Sequence, residues 1–208
     1  MENWEFVFSL ISALSTFLIL VQLFCTHYMK KKEHEEQRRQ KTVEMMLEWS
    51  SSLKRETSFA EKIVEQMDAE QCRKLYLQQS FTVNADIKKM LCQICSCKDS
   101  AECDECKQSN KGKHKIFDKQ LSELRWYIIS YLNMLETVLV AWQQGTVDRK
   151  IVEHEFSYLY SAEKGWNVLA DFREAAGGIK TYPVIDEFCK TLKANEEKKN
   201  ELQVKKGL

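Results

Sequence analysis

The chain has 208 residues with Lys+Arg and Asp+Glu equal at 31 each, so its bulk charge does not point to nucleic acid. Six glycines and one proline are too few turn-formers for a many-stranded sandwich or barrel, and they favour long helices. Once an apolar N-terminal segment is set aside, enough chain remains for one domain of ordinary size.

Residues 6–29 carry no acidic residue, lysine or arginine. About 20 apolar residues in helix span a hydrocarbon core, so this run is expected to form a transmembrane anchor over residues 1–29. Trp4 and Tyr28 fall at interfacial positions, Lys30, Lys31 and Lys32 follow, and Glu2 and Glu5 precede. That bias predicts a single-pass protein of the inner (cytoplasmic) membrane, N-terminus out and C-terminal domain in the cytosol. Ser9, Ser12, Ala13, Thr16 and Gln22 share one half of the helical wheel, a face suited to homo-oligomer contact within the bilayer. The plain alternative is that its Ser and Thr residues bond back to their own helix.

Residues 30–56 lack Gly and Pro and read as a stalk helix continuing from the anchor. Its first part is charged all round, as a solvated stalk would be, and Val43, Met46, Leu47 and Trp49 then offer apolar docking positions. Residues 57–195 read as a helical domain. Phe59, Ile63, Val64 and Met67 give a short amphipathic helix, Asp68 caps the next one, and a further helix is expected near Ala85 to Cys92. Phe117, Leu121, Leu124, Ile128, Tyr131, Leu135, Val138 and Trp142 recur every three or four residues and predict one long helix. Gly145 ends it and Asp148 caps the following one. Pro183 opens a last helix that buries Ile185, Phe188, Cys189 and Leu192, and residues 196–208 form a charged tail.

Within residues 92–106, Cys92 and Cys95, then Cys103 and Cys106, form two C-x2-C pairs. Each pair in a tight turn would present two corners of a tetrahedron, so a structural Zn(2+) site with four thiolates is expected in a zinc-knuckle-like loop. Cys97 is a spare thiol, which leaves open a redox switch or an alternative ligand, and an iron–sulfur cluster is the other metal reading. Four protein ligands would leave no open position for catalytic water.

No phosphate-binding glycine loop, nucleophile elbow or His/Asp/Ser grouping occurs in the sequence. His154-Glu155 starts the H-E-x-x-H pattern, but position 158 is Tyr. Glu136 lies inside the apolar stripe, where an acid is expected to be buried and paired with a base, or else to mark a polar pocket. The basic stretch 111–115 reads as a solvated loop.

The run from Leu132 to Phe156, LNMLETVLVAWQQGTVDRKIVEHEF, followed by Trp166, resembles a family of small bacterial single-pass, membrane-anchored helical proteins of unknown function. The resemblance implies a helical domain behind an N-terminal anchor and names no catalytic residue. The expectation is therefore an all-α, membrane-tethered, non-enzymatic interaction or signalling module with a structural metal, recognising an unknown cytosolic protein or ligand. A second reading is a membrane effector, as in bacterial anti-phage defence, whose oligomerised helices perturb the bilayer when triggered. A metal-dependent hydrolase using Glu136 or His154 ranks below both.

Overall fold

A computed structural model describes residues 2–94, 109–110, 113–116, 118–161 and 166–206. Eight α-helices occur among them: α1 (Glu2–Ser52), α2 (Arg55–Glu65), α3 (Ala69–Tyr76), α4 (Ala85–Ile94), α5 (Asp118–Gln143), α6 (Arg149–Glu155), α7 (Ala170–Ala175) and α8 (Pro183–Lys206). Two small antiparallel sheets lie between them. One has the order β1 (Thr82–Val83), β3 (Lys113–Lys115), β2 (Ser109–Asn110), and the other pairs β4 (Tyr160–Ser161) with β5 (Trp166–Asn167). The helical character is as expected, and the β4–β5 pair lies between α6 and α7.

Helix α5 is the centre of the domain. Its buried positions include Leu121, Leu124, Ile128, Tyr131, Leu135, Val138 and Trp142, the stripe visible in the sequence, and α2 and α8 pack against it. Phe156, Phe172 and Phe188 are among the largest fully buried side chains of the domain, and each such side chain contributes on the order of 1.5–3 kcal/mol by leaving water. Trp142 meets Phe188 edge-on at 4.9 Å between ring centroids.

Helix ends are closed by identifiable groups. Asp68 accepts from the Gln71 amide at 2.8 Å while the Gln71 side chain accepts from the Asp68 amide at 3.1 Å, a reciprocal capping box. At the C-terminus of α5, Gly145 adopts φ +67°. Its amide donates to Trp142 and that of Thr146 to Ala141, which satisfies two orphan carbonyls as a Schellman motif requires. Asp148 then caps α6 through the amides of Lys150 and Ile151.

Helix α1 enters the domain only near its C-terminal end. Thr42 is fully buried; its hydroxyl donates to the Arg38 carbonyl at 2.7 Å and accepts from the Asp148 amide at 2.7 Å. Trp49 is buried against Tyr131 and Phe156, with centroids at 5.7 and 5.1 Å. The other end is bare: Leu14, Phe17, Leu18, Ile19, Leu20, Leu23, Phe24 and Met29 are all exposed.

Two parts of the expected architecture are corrected. Among the described residues, no helix is long and apolar enough to cross a membrane. Within α1, Gln22 and His27 interrupt the apolar part, and from Lys30 onward the helix is dominated by charged residues. Nor, among the described residues, is there any group of three or more His, Cys, Asp or Glu side chains placed to hold a metal ion. The backbone of Cys92 belongs to the last turn of α4. Cys95, Cys97, Cys103 and Cys106 lie outside the described residues.

Candidate anion-binding groove on the first helix

Between the bare apolar end of α1 and its docked end, the helix passes the α5–α6 turn and leaves a groove of about 690 Å³. One wall is the turn at Gly145 and Thr146; the other is a face of α1 carrying His27, Lys30, Lys31, His34, Arg38 and Lys41. These six positions recur at three and four residues. At about 100° per residue they occupy roughly one third of the helical wheel. Glu33, Glu35 and Glu36 project from other sides, and the groove lining contains no carboxylate.

The stretch is therefore not charged all round. Its cations are sorted onto one face, and that face is turned toward the domain by the buried Thr42 and Trp49. The opposite wall is equally compatible with an anion. The last carbonyls of α5 would repel negative charge if left bare, but those of Ala141 and Trp142 already accept from Thr146 and Gly145. The Arg149 guanidinium also donates to the carbonyls of Trp142, at 3.0 Å, and Gln143. Lys30, Lys31, Arg38 and Lys41 face a cleft that holds no carboxylate among the described residues, an arrangement that favours an anion. The sequence signal for it was present, as the three- and four-residue spacing of His, Lys and Arg from position 27 to 41.

Glu136 lies elsewhere and does a different job. It is half-buried, and its Oε1 accepts from the Val184 amide at 2.9 Å and its Oε2 from the Ile185 amide at 3.1 Å. Helix α8 begins with Pro183, which has no amide hydrogen, and Tyr182 before it has no short side chain to act as a cap. The next two amides are capped instead by a carboxylate from α5, where negative charge also favours the helix dipole. The partner of Glu136 is thus a helix N-terminus and not the basic side chain expected. The base–acid pair nearby is Arg173 with Asp186, at 2.6 Å and with Arg173 buried, the Arg173 Nε also donating to the Val168 carbonyl at 3.0 Å.

The remaining nucleophilic and titratable candidates are separate from one another. Burial, then Asp171 and Asp68, pushes the Cys72 thiol up to about 12, and burial pushes that of Cys189 up to about 11. Neither supplies a thiolate near neutral pH. His154 is exposed and meets its neighbour Glu155 at 3.4 Å. His114, on β3, is buried, and desolvation followed by Lys88 lowers its pKa, so its imidazole is held neutral. Glu61 accepts from the Tyr131 hydroxyl at 3.3 Å, and burial, then Glu65, raises its carboxyl. On the α1 face suggested for oligomer contact, the side chains of Ser9, Ser12 and Ala13 lie outside the described residues. Further along, Thr26 donates to the Gln22 carbonyl at 2.8 Å within its own helix.

A cavity of about 490 Å³ among α2, α3 and α7 is lined by Cys72, Met67, Leu169 and Phe172, with Lys62, Glu65 and Asp171 at its polar part. Leu169, at its edge, adopts φ +47°, a left-handed backbone a leucine rarely holds.

Neither the curated proteins nor the solved structures include a match to this chain. Residues 8–176 match the family described as Domain of unknown function (DUF4760), a span that takes in most of α1 with its cationic face, the α5–α6 turn and Glu136. The chain belongs to that family.

Proposed function

We propose that the protein is a non-enzymatic interaction module held at a lipid bilayer by the apolar end of α1. The observation that carries this reading is the exposure of that end on all sides: Phe17, Leu18, Ile19, Leu20, Leu23 and Phe24 span the full circumference of the helix. These exposed apolar side chains need an apolar environment, and among the described residues no other part of the fold covers them. Lipid is the occupant favoured by the abrupt change to Lys30, Lys31 and Lys32, which suits an aqueous boundary. The resemblance of residues 132–156 to bacterial membrane-anchored proteins supports the same placement.

The non-enzymatic part of the reading is supported by what the reactive groups are doing. Both oxygens of Glu136 are committed to α8, the thiols of Cys72 and Cys189 are pushed far above neutrality, and among the described residues His154 has no acid–base partner beyond its own neighbour. The docked half of α1 then acts as a lever, because Thr42 and Trp49 tie it to the capped start of α6 and to Tyr131 and Phe156 of the core.

Flotation of the full chain with neutral phosphatidylcholine vesicles tests this. The wild-type chain is expected in the lipid fraction, and Leu18→Lys/Phe24→Lys, which alters no contact within the fold, at the bottom of the gradient. A wild-type chain that stays at the bottom refutes the proposal.

A further inference from the structure

Resting on that reading, we infer that the cationic face of α1 binds the phosphate headgroups of anionic lipids. The groove begins where the apolar stretch ends. Phe24, Tyr28 and Met29 are exposed at one side of this boundary, and His27, Lys30 and Lys31 stand on the first turn of the groove. With the apolar residues in lipid, these side chains fall in the headgroup layer, which is about 5–8 Å deep on each side of the hydrocarbon. Arg38 and Lys41 lie two to three turns further along, about 11–16 Å, beyond a Debye length of about 8 Å, so they contribute less than Lys30 and Lys31 and draw the headgroup along the groove.

Three features favour a lipid phosphate over a soluble one. The cations are sorted to a single face, the cleft they line is free of carboxylates among the described residues, and that cleft is continuous with the apolar end of the same helix. A soluble anion would need the first two features but not the third. The domain forms the second wall through Gly145 and Thr146, so a bound headgroup would sit between α1 and the α5–α6 turn and fix the domain's orientation against the surface.

The test measures binding of the full chain to vesicles of phosphatidylcholine alone and of phosphatidylcholine mixed with phosphatidylglycerol. The variant Lys30→Gln/Lys31→Gln/Arg38→Gln/Lys41→Gln changes only exposed side chains. Its charge-matched control is Lys32→Gln/Lys119→Gln/Lys190→Gln/Lys193→Gln, all off the groove. Circular dichroism verifies that both keep the wild-type helix content. The wild-type chain should bind the anionic vesicles more tightly than the neutral ones, and the groove variant should lose at least about tenfold of that preference. Its binding to neutral vesicles should be unchanged, and the control should keep most of the preference.

Equal losses in the two variants, or a groove variant that retains the preference, overturn the inference. Binding of glycerol phosphate that the groove variant loses, with a preference for anionic vesicles that the same variant retains, assigns the groove to a soluble phosphate and overturns it as well. Binding to neutral vesicles reads the apolar end alone. If the wild-type chain fails there, the proposed function falls; if only the anionic preference fails, this inference falls and that function stands.

Discussion

Replacing Glu136 tests whether the acid inside the apolar stripe is there for structure. Its carboxylate receives two charge-assisted hydrogen bonds, from Val184 at 2.9 Å and Ile185 at 3.1 Å, and Ile185 is fully buried. Glu136→Ala leaves both amides without that partner. A bond to a charged group contributes about 1.5–3 kcal/mol net, and partial rescue of the less enclosed amide by water brings the combined loss to about 2–3 kcal/mol. For a chain of this size that lowers Tm by roughly 5–10 °C. Glu136→Gln keeps one carbonyl oxygen and loses the charge, so it should fall between the wild type and Ala. The assay is urea and thermal denaturation of the full chain in a mild non-ionic detergent, followed by far-UV circular dichroism, with hydrogen exchange resolving the amides of α8. A Glu136→Ala chain within about 0.5 kcal/mol of wild type, the spread of an ordinary surface change, would refute the capping role.

Thr42→Val retains the shape of the residue but removes the acceptor for the Asp148 amide; a loss of about 1–3 kcal/mol is expected, with faster hydrogen exchange where α1 meets α6. Unchanged exchange there would show that α1 docks by other contacts. Gly145→Ala places a side chain at φ +67°, with no atom closer than 4.0 Å, so backbone strain alone should cost about 1 kcal/mol. Glu61 titrates above its ordinary value of 4.5, so the folded state binds its proton more tightly than the unfolded chain does. Its contribution to stability is complete below the unfolded value and declines as pH rises from there through the raised folded value. Glu61→Gln should flatten that decline and raise Tm at neutral pH; an unaltered pH slope would contradict it.

How far the sequence could be read depended on the range of the interaction involved. The α5 stripe, the Gly145 turn and the Asp68 and Asp148 caps are local, periodic or stereochemical, and they were legible. The partner of Glu136 was not, because it lies 48 residues away at the start of α8, and only the fold brings the two together. The sequence did carry a hint, in Pro183 with no capping side chain before it. The β4–β5 hairpin was missed because each strand is two residues long, too short for an alternation to show.

The groove illustrates a different failure. Counted by composition, the stretch after Lys30 mixes lysines, arginines and glutamates and looks uniformly solvated. Placed on a helix, His27, Lys30, Lys31, His34, Arg38 and Lys41 separate from Glu33, Glu35 and Glu36, and the docking of Thr42 decides which side meets the domain. The helix expected near Ala85 to Cys92 was legible because Ile87, Leu91 and Ile94 form one buried face of α4, and Cys95, Cys97, Cys103 and Cys106 lie outside the described residues.

The central claim, that lipid covers the bare end of α1, is tested most directly by photo-crosslinking the full chain in vesicles whose acyl chains carry a diazirine, with adducts mapped by mass spectrometry. The account predicts acyl-chain adducts concentrated at residues 14–29 and few on α5 or α8. Adducts absent from that stretch, or replaced there by crosslinks between two copies of the chain, would contradict it.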